Sequence, residues 1–254
     1  MAQDTRLRSL DTSHDGRGWD AVGRLDIGGA GFCTGALIEP DLVLTAAHCL
    51  YDRDTGAPIQ VETIEFLAGW RNGRASAYRS VRQAVVHPDY VYGGSITADR
   101  VRNDIALLRL HRPIQNTTVI PFETAARPRR GDSVGVVSYA KDRAEAPSLQ
   151  EVCDVMARQQ GVLVMSCDVD FGSSGAPVFS FDGDTPRIVS VVSAKAEVDG
   201  TRVALGTQLD QPLGLLQAEL SEGRTLASKS NSTVVRRITV GSDRSTSGAK
   251  FVRP

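Results

Sequence analysis

The stretch LVLTAAHCLYD, residues 42–52, carries an apolar run into one histidine and one cysteine. A lone histidine beside apolar residues is more often a core residue than a base, so His48 has to be read against the rest of the chain. Short β-like runs lie on both sides of it: AVGRLDI (21–27), TGALI (34–38), LVLTA (42–46), VETIEFLAG (61–69), SVRQAVV (80–86), DIALLRL (104–110), SVGVVSYA (133–140), LQEVCDV (149–155), GVLVMS (161–166), APVFSF (176–181), RIVSVVSA (187–194) and VALGTQL (203–209). Gly, Pro, Asn or Asp separates them, which is strand punctuation. About a dozen strands with almost no helical periodicity implies an all-β fold of closed or sandwiched sheets. One helix is predicted at QPLGLLQAELSEG (211–223), where Leu213, Leu216 and Leu220 recur at helical spacing behind Pro212. The proline- and arginine-rich stretch 112–133 reads as a crossing between two halves.

Composition excludes several classes of function. The chain has 254 residues, 41% hydrophobic and 23% charged, with 29 basic against 30 acidic side chains. That near-neutral balance gives no steering toward nucleic acid or an anionic membrane. No run reaches the length of a membrane helix, and the first thirty residues lack the apolar centre of a signal peptide. The expectation is a soluble protein whose export signal has been removed or never existed.

The four cysteines are placed informatively. Cys153 and Cys167 bracket DVMARQQGVLVMS; if RQQG (158–161) or a neighbouring loop turns the chain, they face one another on antiparallel strands within disulfide reach. Paired cysteines would imply an oxidising compartment, and four buried free thiols a reducing one. No C-x-x-C or Cys/His cluster suggests zinc, so neither a metal nor another cofactor is expected.

Two further stretches change the reading of His48. NDIALLRL sets Asp104 at the mouth of a strongly apolar strand, and DFGSSGAPVF sets Ser174 in a glycine-bounded loop before another. With CTGALI, TAAHC and the order His, Asp, Ser, these motifs resemble the chymotrypsin/trypsin-like serine peptidases across residues 33–179. The resemblance implies two packed six-stranded antiparallel β-barrels with a C-terminal helix. It divides the chain into an N-terminal extension (1–20), a first barrel (21–120) carrying His48 and Asp104, a second barrel and helix (121–223) carrying Ser174, and a polar tail (224–254). It implies a serine endopeptidase acting on polypeptides as a monomer, open to protein inhibitors, and secreted or periplasmic. In it His48 is the base, Asp104 its orienting carboxylate, Ser174 the nucleophile, and the N–H groups of Gly172 and Ser174 the oxyanion donors. A Cys33–Cys49 bridge, also implied, would tie TGALI to the turn bearing His48.

The sequence also departs from the family pattern. Ser173 stands where many members carry the aspartate that pairs with a freed N-terminus, and no Arg followed by Ile-Val-Gly-Gly occurs, so activity independent of such insertion is expected. The shortened stretch between Asp104 and Ser174 resembles the compact secreted bacterial members. Asp168, six residues before Ser174, falls where trypsin-like members bind Arg or Lys. Ser193, Ala194 and Lys195 match the segment along which substrate pairs and the adjoining pocket wall. Lys195 could neutralise Asp168 or favour an acidic side chain, as in the glutamyl endopeptidases, so cleavage after Arg or Lys is the reading with a glutamyl preference as its alternative. A catalytically silent scaffold of the same fold is the second alternative. His14, His87 and His111 read as structural; the sequons at 116–118 and 231–233 matter only in a eukaryotic secretory route, and STVVRRITV (232–240) alternates enough to add an edge strand.

Overall fold

The computed structural model describes residues 7–226, apart from 30, 126–127, 182–184 and 199. β1 (Arg8–Ser9) precedes a first barrel of β2 (Val22–Ile27), β3 (Phe32–Glu39), β4 (Leu42–Thr45), β5 (Ile64–Ala68), β6 (Ala77–Val86) and β7 (Ala106–Leu110), with the short α1 (Ala98–Arg102) between the last two strands. These strands close antiparallel in the order β2-β3-β4-β7-β6-β5. The second half contains β8 (Ser133–Ala140), β9 (Arg143–Gln159), β10 (Val162–Met165), β11 (Pro177–Ser180), β12 (Arg187–Val198) and β13 (Thr201–Gln208), followed by α2 (Asp210–Ser221). Here β8-β9-β10-β13-β12-β11 runs back to β8, forming a second closed six-stranded barrel. Both barrels and the late helix are as the sequence implied.

Local chemistry explains the elements. In β6, Ala77 and Val81 point inward while Tyr78, Ser80 and Arg82 face out; a register shift after Val81 then lets Ala84 return to the interior. The β9–β10 hairpin turns on Gln160 and Gly161, both at positive φ (49° and 84°), the geometry of a primed two-residue turn. It brings Cys153 opposite Cys167, and these two form a disulfide, as do Cys33 and Cys49.

The larger core, around Leu25, Leu44, Phe66 and Leu107, continues into the contact between barrels at Tyr139 and Phe179. Phe179 meets the rings of Phe122 and Trp19 at 4.7 and 5.0 Å. The chain crosses there: Phe122 N–H donates to Leu37 O on β3, and Ala125 N–H to Ile188 O on β12. α2 leaves the second barrel and lays Leu216 and Leu220 against β6 and β7 of the first.

Residues 7–20 pack against both barrels: β1 pairs with β9, Leu10 is fully buried, and Arg71 of the first barrel binds Leu10 O at 2.7 Å and Asp20 at 2.8 Å. At the other end, residues 224–226 belong to the fold, with Leu226 N–H donating to Ala84 O and Gln83 to Arg224 O. A single leucine or tryptophan among polar residues leaves no periodicity to read, so neither contact was visible in the sequence. STVVRRITV and the second sequon lie outside the described residues.

Candidate active site

β4 ends at Thr45, and a single 3-10 turn, Ala47–Leu50, presents His48 at the groove between the barrels. The Cys33–Cys49 bridge joins that turn to β3. Asp104 arrives from the same barrel, between α1 and β7, the strand that pairs with β4; the first turn of α1 is capped by Thr97 accepting from Arg100 N–H. Its buried carboxylate receives three donors: His48 N–H at 2.8 Å, His48 Nδ1 at 2.7 Å and Ser193 Oγ at 2.5 Å. A carboxylate only accepts, so Nδ1 carries a proton, and in the neutral imidazole Nε2 is the nitrogen with the free lone pair. Thr207 of β13 donates to the carbonyls of Val101 and Asp104, tying this loop to the second barrel.

Ser174 lies in the loop before β11 and lines one cavity of about 380 Å³ with His48 and Asp104. The loop is fixed by its carbonyls. Phe171 C=O accepts from Lys141 N–H at 2.7 Å and Ser173 C=O from Ala176 N–H at 3.0 Å. With every described peptide trans, the following N–H groups of Gly172 and Ser174 point away from those partners, and neither is committed to another described residue. Gly172 (φ +99°) has no room for a side chain, since a Cβ would meet the Phe32 ring at 2.4 Å; at Gly175 (φ +75°) it would meet Thr45 Oγ1 at 2.1 Å.

Thr34 anchors this loop. Fully buried on β3, its N–H donates to Ser174 O at 2.9 Å and its Oγ1 to Gly172 O at 2.8 Å, while Oγ1 accepts from Tyr139 N–H at 3.1 Å and its carbonyl from Thr45 Oγ1 at 2.9 Å. Sequence reasoning missed Thr34, as it missed Thr207. Ser173 is also fully buried, within reach of Ser138 Oγ at 3.2 Å and Tyr139 O at 3.3 Å, and Arg143 donates to Ser138.

Of the expected substrate-binding residues, Ser193, Ala194 and Lys195 line the cavity and Asp168 does not. Asp168 is exposed between buried Cys167 and Val169, and its N–H is held by Gln150 Oε1. Lys195 reaches Asp170 instead, at 2.7 Å. The three remaining histidines stay away from this cavity; His87 is buried, accepts from Asp89 N–H at Nδ1, and is pushed down in pKa chiefly by that burial.

All four cysteines are paired, leaving no thiolate for a metal. No described helix is long and apolar enough to cross a membrane.

Comparison with known proteins agrees with this arrangement. The trypsin family model matches residues 12–209. A glutamyl endopeptidase of Bacillus licheniformis is 27% identical over 150 residues, covering 59% of this chain and 45% of that protein. Brachyurin of Leptuca pugilator is 30% identical over 158 residues, 61% of this chain and 64% of brachyurin. The chain thus spans less than two-thirds of the length of these relatives. Among solved structures, a Glu endopeptidase superposes with a TM-score of 0.66 at 18% identity, covering 81% of this chain and 92% of that one. The thermostable serine protease AL20, from an extremophilic microorganism, gives 0.64 at 17%, covering 81% and 98%. At these identities the superpositions speak to the fold.

Proposed function

Because this chain belongs to the trypsin family, we propose that it is a serine endopeptidase, with His48 and Asp104 supplied by residues 21–120 and Ser174 by residues 121–223. Ser174 Oγ attacks the scissile carbonyl and its proton passes to His48 Nε2. The C–N bond then breaks as His48 returns that proton to the leaving amine, and water repeats the cycle on the acyl-enzyme. Asp104 fixes the imidazole tautomer and stabilises the imidazolium. The N–H groups of Gly172 and Ser174 receive the oxyanion; one such donor is typically worth about 3 kcal/mol.

The observation that carries this reading is the doubly held His48–Asp104 pair, at 2.7 and 2.8 Å, in the same cavity as a serine whose loop leaves two N–H groups uncommitted. The silent-scaffold alternative has no observation in its favour. Two disulfides support action outside a reducing cytosol. The hydroxyl at Ser173 supports activity without an inserted N-terminus, since no carboxylate at that position awaits a partner.

The Arg/Lys preference loses its support with Asp168 outside the cavity. The glutamyl alternative draws on the Bacillus relative and on Lys195, but that lysine already has Asp170. Labelling with a fluorophosphonate probe tests the main reading: wild type should take one label on Ser174 and Ser174→Ala none. Labelling that survives this substitution would refute it.

A further inference from the structure

The cavity beside Ser174 has apolar walls where its selecting side should be. Val169 and Val192 are buried against it, Ala194 follows, and Phe171 and Ile96, 59% and 53% exposed, also line it. Large apolar side chains exposed around a single cavity mark a surface that a ligand covers. Lys195 and Asp170 neutralise one another. Lys195 Nζ donates to Asp170 Oδ1 at 2.7 Å and lies 4.5 Å from the Phe171 ring centroid, so its charge is satisfied by a carboxylate and an aromatic face together. Asp170 also accepts from Phe171 N–H at 2.8 Å, and its carboxyl is held below the usual carboxylate range chiefly by the Lys195 hydrogen bond. The remaining cation of the cavity, Arg100, sits on α1 and donates to Gly94 O at 2.8 Å.

We propose that this cavity receives an uncharged apolar side chain from the residue preceding the scissile bond, and that the Asp170–Lys195 pair acts as the specificity determinant by keeping either charge from selecting a counter-ion. The inference rests on the endopeptidase reading. An arginine or glutamate entering beside this pair would lose hydration without gaining a free partner from it, a cost that apolar side chains avoid. Removing one member of the pair unmasks the other.

The test is a set of peptides differing only at that position (Leu, Phe, Val, Arg, Glu), assayed on the full chain alongside fluorophosphonate titration of active sites. Wild type should favour the apolar peptides by on the order of 100-fold in kcat/KM. Asp170→Asn should raise the Glu:Leu ratio and Lys195→Met the Arg:Leu ratio, each by about fivefold, the scale of an exposed ion pair. The double variant should return toward the wild-type ranking. Titratable wild-type enzyme that prefers Arg or Glu would overturn the proposal, as would single variants that shift both ratios together or neither. A chain with no titratable serine would instead refute the endopeptidase reading, and this inference with it.

Discussion

The two walls of the groove are held in different ways. On the His48 side one buried carboxylate gathers three hydrogen bonds, a disulfide clamps the turn next to the histidine, and Thr207 ties the aspartate loop to the other barrel. On the selecting side one ion pair, with both partners about half exposed, sets the charge. Buried, over-determined groups hold geometry to a few tenths of an ångström, whereas an exposed pair contributes about 0–1 kcal/mol and is easily exchanged. The wall that performs chemistry is therefore expected to be intolerant of change, and the wall that chooses substrate to be adjustable.

Breaking the first wall should give the largest effect. Asp104→Asn keeps the shape of the side chain but cannot hold the imidazole tautomer, and should lower kcat by about 10⁴-fold while fluorophosphonate labelling slows in parallel. Thr34→Val comes next. It removes the hydroxyl that holds Gly172 O and Tyr139 N–H, letting the oxyanion loop relax, and should lower kcat by about 100-fold with KM little changed. Thr34→Ser, which keeps the hydroxyl, should recover most of that loss; equal losses in both variants would assign Thr34 to packing alone.

How far these features could be read from the sequence follows the range of the interactions. Strands, the α2 region, the β9–β10 turn and the motifs around His48, Asp104 and Ser174 are local patterns, and all were visible. The partners of those residues were not. Thr34 is one threonine in CTGALI, and its bonds to Gly172 and Tyr139 join positions more than a hundred residues apart. Ser193 was read as a substrate contact, and it also bonds Asp104 of the other barrel, from a register shift in β12 between Val192 and Ala194. Asp168 was placed by an offset counted back from Ser174, and the loop between β10 and Ser174 instead leaves it exposed and brings Val169, Asp170 and Phe171 to the cavity.

The smaller effects sharpen the contrast within the second barrel. Replacing Cys153 and Cys167 together by Ser should cost about 3 kcal/mol of stability, read as a lower Tm, while the folded enzyme keeps its preference among peptides. The smallest effect concerns pH. Asp170 is depressed in pKa by Lys195, so the ion pair is complete above the usual carboxylate range and is lost only as pH falls through the lower folded value. Lys195→Met should move the Asp170 carboxyl back up toward its ordinary value in an NMR titration; an unmoved titration would mean that the pair does not form in solution.

The convergence of His48, Asp104 and Ser174 on one scissile bond is best examined by pre-steady-state hydrolysis of an activated ester, with the trapped protein analysed by mass. The account requires a burst of one acyl group per chain, located on Ser174 and abolished by His48→Ala. Steady turnover with no acyl group on Ser174, or with the group on another residue, would contradict it.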